Sequence, residues 1–212
     1  MVTYKLHLIR HGMTAGNRDG RYVGRMDIPV CAEGMQELER LKKTHSYPAV
    51  QEVYCSPLLR CRQTADLLFP TEPLTVVDGL TEMSLGDFEG KSFDALRDSP
   101  SYLAWLENSA ENTPPGAVET SREFSGRVGE TLNAILMHMS KIHITEAAAV
   151  THGAQSRFVY DVGKLRARCS GCHAGNFVEI NIIRDFDLTR MDLEYLLSAL
   201  EVGQLNRHSP VK

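Results

Sequence analysis

The sequence has no long apolar run, and this absence limits the classes of protein to which it can belong. A membrane-spanning helix needs about 20 consecutive apolar residues, and no stretch of this chain reaches that length. The N-terminus also lacks the apolar core of a secretion signal. We therefore expect a cytoplasmic protein that does not bind membranes.

The cysteine count and the small net charge limit the possible classes further. The 212 residues contain five cysteines, and an odd number suits reduced thiols better than a disulfide framework. The net charge of −4 gives no indication of a nucleic-acid partner. A hydrophobic fraction of 42% is typical of a soluble globular protein, and we interpret residues 1–212 as one domain.

One pair of cysteines has a spacing that needs an explanation. Residues 169–173 read CSGCH, which is the spacing of a covalent haem site. That chemistry usually belongs to exported proteins, and no export signal is present. A structural zinc site would need a fourth ligand besides Cys169, Cys172 and His173. We interpret both cysteines as reduced loop residues and expect neither a metal nor another cofactor.

Apolar segments alternate with helical patterns along the chain. Strands are predicted at residues 4–10, 52–55, 74–77, 147–150 and 177–183, and helices at 32–44, 57–69, 119–141 and 154–162. The segment from Asp187 to Leu200 fits a helix but could begin with a strand. Such alternation predicts an α/β fold in which helices sandwich a mainly parallel sheet. Glycine and proline are frequent in residues 11–30, predicted as a functional loop, and 79–118, predicted as a cap-like insertion.

Two histidines directly follow predicted strands, and a glycine follows each of them. His11 ends the run LIRHG at residues 8–12, and His152 lies in VTHG at residues 150–153. Reactive groups in a parallel sheet gather at the carboxyl ends of the strands, so we expect both rings in one crevice. The neighbouring glycines allow a ligand or another segment to approach closely. Arg10, next to His11, makes this crevice a candidate phosphate pocket.

A phosphate monoester would suit such a pocket. Arg60 and Glu82 follow the second and third predicted strands and could reach the same crevice. A guanidinium group matches phosphate geometry, and one cation at 4 Å contributes about 4 kcal/mol at an effective dielectric of 20. Arg10 and Arg60 would hold the phosphate and lower the pKa of His11, which keeps the nucleophile neutral. His152 would donate to a phosphoryl oxygen, while Glu82 protonates the leaving group and then activates water.

The segments that carry these residues occur together in a known family. Residues 8–14 (LIRHGMT) with Asn17, 56–65 (SPLLRCRQTA), 80–82 (LTE) followed by 86–90 (GDFEG), and 150–153 (VTHG) come in that order. Together they resemble the motifs of the histidine phosphatase superfamily, which includes the cofactor-dependent phosphoglycerate mutases. The resemblance implies a phosphoglycerate mutase-like fold and a phosphohistidine on His11. It also implies a pocket of Arg10, Arg60 and His152, with Glu82 as proton donor.

Residues 21–27 (RYVGRMD) and Pro29 resemble the phosphatase branch, in particular the alpha-ribazole phosphatase type. We therefore expect hydrolysis of a small phosphorylated metabolite such as alpha-ribazole 5'-phosphate. Thr14, Arg21 and Gly24 are candidate substrate-loop residues, and Asn17 either contacts phosphate or orders the loop. A phosphoglycerate mutase would share this pocket, and a phosphate-binding module without activity is the alternative from another class.

The segment after Glu82 offers competing interpretations. Residues 86–92 (GDFEGKS) resemble a nucleotide-binding P-loop but are one residue short between the glycines. Asp87 and Glu89 inside this segment would repel a phosphate, so a nucleotide hydrolase is disfavoured. The same two carboxylates are alternatives to Glu82 as the general acid.

Overall fold

A computed structural model describes the backbone of residues 2–153, 166–169 and 177–184, and the side chains of residues 4–153. The strands are β1 Val2–Arg10, β2 Glu52–Cys55, β3 Leu74–Val76, β4 Glu146–Thr151, β5 Arg166–Cys169 and β6 Phe177–Arg184. The helices are α1 Ala15–Arg18, α2 Ala32–Thr44, α3 Leu59–Leu68, α4 Phe93–Leu96, α5 Pro100–Glu107 and α6 Ser121–Lys141. The predicted helix at 154–162, Cys172 and the segment from Asp187 lie outside the described residues.

The strands form one sheet in the order β3-β2-β4-β1-β6-β5. The first four strands in this order pair in parallel, β6 runs antiparallel to β1, and β5 runs antiparallel to β6. The prediction of an α/β fold with a mainly parallel sheet is confirmed. None of the described helices combines the length and the apolar character needed to cross a membrane.

Helices cover both faces of the sheet because its central strands are apolar on both sides. On one face, Leu6 and Leu8 of β1 pack with Ile135 and Met139 of α6. On the other face, Ile9 of β1 packs in a cluster with Cys61, Ala65 and Leu68 of α3. Full burial of a leucine or isoleucine side chain contributes about 1.5–3 kcal/mol, so these two clusters hold the helices against the sheet.

Two helices begin later than the sequence pattern predicts, because side chains fix their N-termini. Helix α3 begins at Leu59 and not at Pro57, and the Leu59 N–H donates to the Asp27 carboxylate at 2.6 Å. Helix α6 begins after Thr120, whose side chain accepts a hydrogen bond from the Glu123 N–H in a capping box. The later start of α6 leaves Glu119 outside the helix.

Residues 78–118 pack against the first loop. They contain short 3-10 helices, Asp78–Leu80 and Gly86–Phe88, besides α4 and α5. Tyr22 of the first loop packs on the buried aromatic cluster of Phe88 and Tyr102, and its backbone bonds to Gly90 and Lys91. That residues 79–118 form a cap-like insertion within one domain stays a prediction.

The P-loop-like segment does not form a phosphate cradle. Gly86 has a φ of +48°, and a Cβ there would collide with the Pro115 carbonyl oxygen. The five backbone N–H groups that follow it donate to protein carbonyls, from Asp87 through Lys91. Because a P-loop binds phosphate with such N–H groups, this geometry argues against a nucleotide hydrolase.

Candidate active site

The sheet places both motif histidines at the carboxyl ends of neighbouring strands. Strands β1 and β4 pair in parallel with Arg10 opposite Thr151, and the His11 N–H donates to the Thr151 carbonyl at 3.0 Å. The ring centroids of His11 and His152 therefore lie 5.1 Å apart, at an interplanar angle of 63°. Only 4% of His11 and 0% of His152 is exposed to solvent. The two rings share one crevice, as predicted from their positions after the strands.

Hydrogen bonds determine which nitrogen of His11 carries the proton. Its Nδ1 lies 2.8 Å from the Gly12 carbonyl oxygen, which can only accept, so Nδ1 is the protonated nitrogen. Its Nε2 accepts a hydrogen bond from Arg60 Nε at 3.2 Å. Burial first, and then the charge of Arg60, lower the pKa of His11 to about 3. His11 is therefore neutral at physiological pH and has its lone pair on Nε2.

Arg60 lies between His11 and the first loop, and none of it is exposed to solvent. Its terminal nitrogens donate to the Met26 carbonyl at 2.7 Å and to the Gly24 carbonyl at 2.8 Å. Burial lowers the pKa of Arg60, whereas nearby groups including the Glu82 carboxylate act in the opposite direction. The guanidinium group thus links His11 to the first loop and lies within the electrostatic influence of Glu82.

Arg10 ends β1 beside the same crevice. Its Nε is buried, and no described group accepts a hydrogen bond from it. A Cβ on Gly153 would lie 3.2 Å from this nitrogen, so the glycine makes room for the guanidinium group. A buried donor of this kind fits a phosphate oxygen, and the assignment of Arg10 as a phosphate ligand stays a prediction.

His152 contacts a residue that the sequence analysis did not single out. Its Nε2 lies 2.9 Å from Ser56 Oγ, and Cys61 Sγ lies 3.5 Å from the same nitrogen. Burial first, and then the electrostatic interaction with the His11 ring and with the arginines, lower the pKa of His152 well below its ordinary value. The neutral ring has one N–H to donate. Ser56 opens the motif at residues 56–65, and its place there was the available signal for this contact.

Glu82, Asp87 and Glu89, the three candidates for the general acid, differ in their surroundings. It is buried, and its Oε1 accepts a hydrogen bond from the Met83 N–H at 2.8 Å. Asp87 is exposed. Glu89 uses both oxygens as acceptors for backbone N–H groups, of Arg25 and of Met26, each at 2.7 Å. Glu89 is therefore engaged in holding the loop, and Glu82 remains the candidate general acid.

Thr14 and Asn17 order the first loop. Asn17 Oδ1 accepts hydrogen bonds from the Thr14 N–H at 3.2 Å and from the Thr14 hydroxyl at 2.9 Å. Thr14 Oγ1 accepts in turn from the Asn17 N–H at 3.2 Å, which completes a capping box for α1. Thr14 is fully buried in this role. Phosphate contact by Asn17 stays a prediction that rests on its Nδ2 group.

The other two loop candidates occupy different places. The guanidinium group of Arg21 is exposed and donates to the Gly90 carbonyl at 2.8 Å, which ties the loop to residues 78–118. Gly24 lies beside Arg60, and a Cβ there would meet Glu89 Oε1 at 2.5 Å and the Met83 carbonyl oxygen at 2.7 Å. The structure thus brings Gly24 into contact with Arg60, whereas the Arg21 side chain contacts Gly90.

Comparison with known proteins agrees with this geometry. A family model described as histidine phosphatase superfamily (branch 1) matches residues 6–166. The adenosylcobalamin/alpha-ribazole phosphatase of Escherichia coli (strain K12) is 34% identical over 128 residues, 58% of this chain and 63% of that protein. This chain therefore spans less than two thirds of that relative's length.

A second relative and a crystal structure support the same grouping. The "Putative phosphoserine phosphatase 2" of Hydrogenobacter thermophilus is 30% identical over 70% of this chain and 73% of that protein. The crystal structure of the alpha-ribazole phosphatase from Shigella flexneri matches with a TM-score of 0.66 and 28% identity, over 75% of this chain and 80% of that one. Since the family match spans both histidines, Arg60 and Glu82, the chain belongs to branch 1 of the histidine phosphatase superfamily.

Proposed function

We propose that this protein hydrolyses a phosphate monoester of a small metabolite through a phosphohistidine on His11. The observation that carries the proposal is the protonation state of the His11 ring and its hydrogen bonds. Its Nδ1 proton is held by the Gly12 carbonyl, and its Nε2 lone pair faces Arg60 in a buried crevice. This arrangement presents a neutral nucleophile next to a fixed positive charge, as attack on an anionic phosphate requires.

The proposed reaction has two steps. In the first, His11 Nε2 gives up its hydrogen bond from Arg60 and its lone pair bonds to phosphorus. The bond from phosphorus to the ester oxygen breaks, while the Glu82 carboxyl donates its proton to that oxygen. In the second, Glu82 takes a proton from water, the water oxygen bonds to phosphorus, and the bond to Nε2 breaks to release phosphate. Arg10, Arg60 and the His152 N–H stabilise the charge on the phosphoryl oxygens.

The substrate that we propose is alpha-ribazole 5'-phosphate. The names of the Escherichia coli and Shigella flexneri relatives support it, as does the resemblance of residues 21–27 to that type. In this proposal the guanidinium groups supply the positive charge, so the reaction needs no metal. We therefore expect the purified protein to keep its activity in excess EDTA.

Phosphate release from a substrate panel tests this function. The panel contains alpha-ribazole 5'-phosphate, sugar phosphates, phosphoglycerates, phosphoserine and nucleotides, and His11→Ala is the control. We expect steady phosphate release without added bisphosphoglycerate, fastest with alpha-ribazole 5'-phosphate. We also expect acid-labile covalent phosphate on the wild-type protein that is absent from His11→Ala.

Other outcomes would contradict the proposal in distinct ways. Transfer of the phosphoryl group to a second phosphoglycerate, with little release to water, would indicate a mutase. Tight phosphate binding without turnover on any ester would indicate a binding module. Retention of turnover or of the covalent label by His11→Ala would refute His11 as the nucleophile.

A further inference from the structure

Three charged side chains beside Glu82 form a cluster that we call the Arg25–Glu119–Arg127 cluster. Arg127 holds both Glu119 oxygens, with Nε at 3.0 Å and a terminal nitrogen at 2.7 Å. Arg25 donates to the same carboxylate at 3.0 Å. Burial alone would raise the pKa of Glu119, but hydrogen bonds from Arg127 and the Ser84 N–H lower it. Two guanidinium groups therefore share one ionised carboxylate, and the cluster has a net positive charge.

The cluster fixes the backbone on both sides of Glu82. Arg127 donates to the carbonyl oxygens of Gly79 and Thr81, each at 2.9 Å. The Ser84 N–H donates to Glu119 at 3.2 Å, and Arg25 Nε donates to the carbonyl oxygen of Glu82 itself at 3.2 Å. The backbone of Glu82 is therefore held at its own carbonyl and at Thr81 and Ser84 on either side, and its side-chain oxygen Oε1 accepts from the Met83 N–H.

Arg25 also belongs to the segment that surrounds Arg60. The carbonyl oxygens of its neighbours, Gly24 and Met26, accept hydrogen bonds from Arg60, which in turn contacts His11 Nε2. The backbone N–H of Arg25 is held from the other side by Glu89. The Arg25 backbone is thus fixed next to Arg60, which contacts His11, while the Arg25 side chain reaches the segment that contains Glu82.

We propose that Arg25 is a positioning residue that sets the distance between the nucleophile His11 and the general acid Glu82. This inference rests on the proposed function, because it assumes that His11 attacks phosphorus and Glu82 protonates the leaving group. The positive charge of Arg127 acts on His152 as well, which places the cluster within electrostatic reach of the phosphate pocket.

Arg25 can be tested without disrupting the fold. Its side chain is 37% exposed, and Glu119 keeps its two bonds to Arg127 when Arg25 is replaced. Removing Arg127 or Glu119 instead would leave a buried charge without its main partner. Arg25→Met removes the link to Glu82, and Arg25→Lys keeps the charge but not the paired donors. Arg122→Met is the matched control, because Arg122 is 60% exposed and pairs with the equally exposed Glu111.

The readout is the dependence of kcat/KM on the leaving group. An alkyl phosphate needs its leaving oxygen protonated, whereas p-nitrophenyl phosphate releases a stable phenolate and needs little help. For a two-step reaction, kcat/KM reports the first step, in which Glu82 acts as the acid. We expect Arg25→Met to lower kcat/KM about tenfold more for the alkyl ester than for the p-nitrophenyl ester. Glu82→Gln should show the same selective loss, because it removes the acid itself. Adding Arg25→Met to Glu82→Gln should change the alkyl value little further.

The other possible outcomes contradict either the positioning role of Arg25 or the proposed function. Equal losses with both esters, or additive losses in the double variant, would overturn the positioning role while leaving the proposed function intact. An unchanged Arg25→Met enzyme would overturn it too, and if that variant does not fold, the same comparison with Arg25→Lys decides. A wild-type protein that hydrolyses neither these two esters nor any ester of the substrate panel would instead refute the proposed function.

Discussion

His11 and His152 differ from exposed histidines because the fold buries both rings beside guanidinium groups. A histidine in water changes protonation near pH 6.5. Burial and the neighbouring charges lower the pKa of His11 to about 3 and that of His152 in the same direction. In the proposed reaction the neutral ring attacks phosphorus, so the same environment would favour attack and oppose protonation of the ring in acid.

This shift predicts how stability depends on pH. The folded pKa of His11 is below the unfolded value, so between pH 6.5 and about 3 the unfolded chain binds a proton that the folded protein does not. Stability is therefore lost as pH falls through this window. His11→Gln removes this contribution, and we expect its free energy of unfolding to fall by about 2 kcal/mol less than that of the wild type between pH 7 and pH 5. Urea unfolding at both pH values measures the difference.

The wild type, unfolded in the same buffers, is the reference for this comparison. If His11→Gln lost as much stability on acidification as the wild type, the His11 ring would be charged in the folded protein. Our conclusion that this ring is neutral would then be wrong.

The first loop is ordered by other elements as well as by its own residues. The Val30 N–H donates to Gln63 of α3 at 2.9 Å, and Glu89 holds two N–H groups of the loop from the opposite side. At Gly24 the packing leaves no room for a side chain, since a Cβ would collide with Glu89 and with the Met83 carbonyl. The position of this loop therefore depends on glycine at that place.

Two glycine substitutions should have opposite effects on stability. Gly24→Ala must displace both Glu89 and the Met83 carbonyl, and we expect it to lower the free energy of unfolding by about 1–3 kcal/mol and to lower kcat/KM. Gly126→Ala places a Cβ in α6 with no heavy atom within 4 Å, and we expect a gain of about 0.5–1 kcal/mol with unchanged activity. Urea unfolding and initial rates measure both.

Gly126→Ala also controls for the general effect of an added methyl group. If Gly24→Ala were as stable and as active as the wild type, the contacts of Gly24 with residues 83 and 89 would not constrain the loop. The role that we assign to these contacts would then be wrong.

The topology of the whole sheet brings distant segments to one edge. Strands β1 and β4 are neighbours although more than a hundred residues separate them, and the two histidines follow their carboxyl ends. Helix α3 adds Arg60 and the segment after β3 adds Glu82. Ligand binding at such a site is linked to the stability of the entire fold, because the site exists only when these segments are assembled.

Inorganic phosphate should therefore stabilise the folded protein. At 100 times its Kd, a ligand adds about 2.7 kcal/mol, which corresponds to an increase in Tm of about 5–10 °C for a chain of this size. We expect this increase for the wild type and for the exposed control Arg122→Met. Arg10→Met should lose most of it, because it removes the buried donor without a protein acceptor among the described residues. Thermal unfolding with and without phosphate measures the effect, and an equal shift in Arg10→Met would refute Arg10 as a phosphate ligand.

Much of the fold follows from local sequence patterns. Helix α2 has the predicted bounds 32–44, and β2 has the predicted bounds 52–55, because apolar spacing and β-branched runs act over a few residues. The start of α3 was predicted two residues early because its N-terminus is capped by Asp27, a residue of the first loop. That contact depends on the tertiary structure, and no local pattern contains it.

For the candidate site, the sequence by itself determined which residues to consider: two histidines after strands, two arginines and a glutamate in four ordered motifs. Only the tertiary structure decided that Glu89 holds the loop and that Arg25 links this loop to Glu82. It also decided that His11 carries its proton on Nδ1. The physical reason is range, since residue type and spacing act locally, whereas protonation state and hydrogen-bond partners depend on groups that folding brings together from distant parts of the chain.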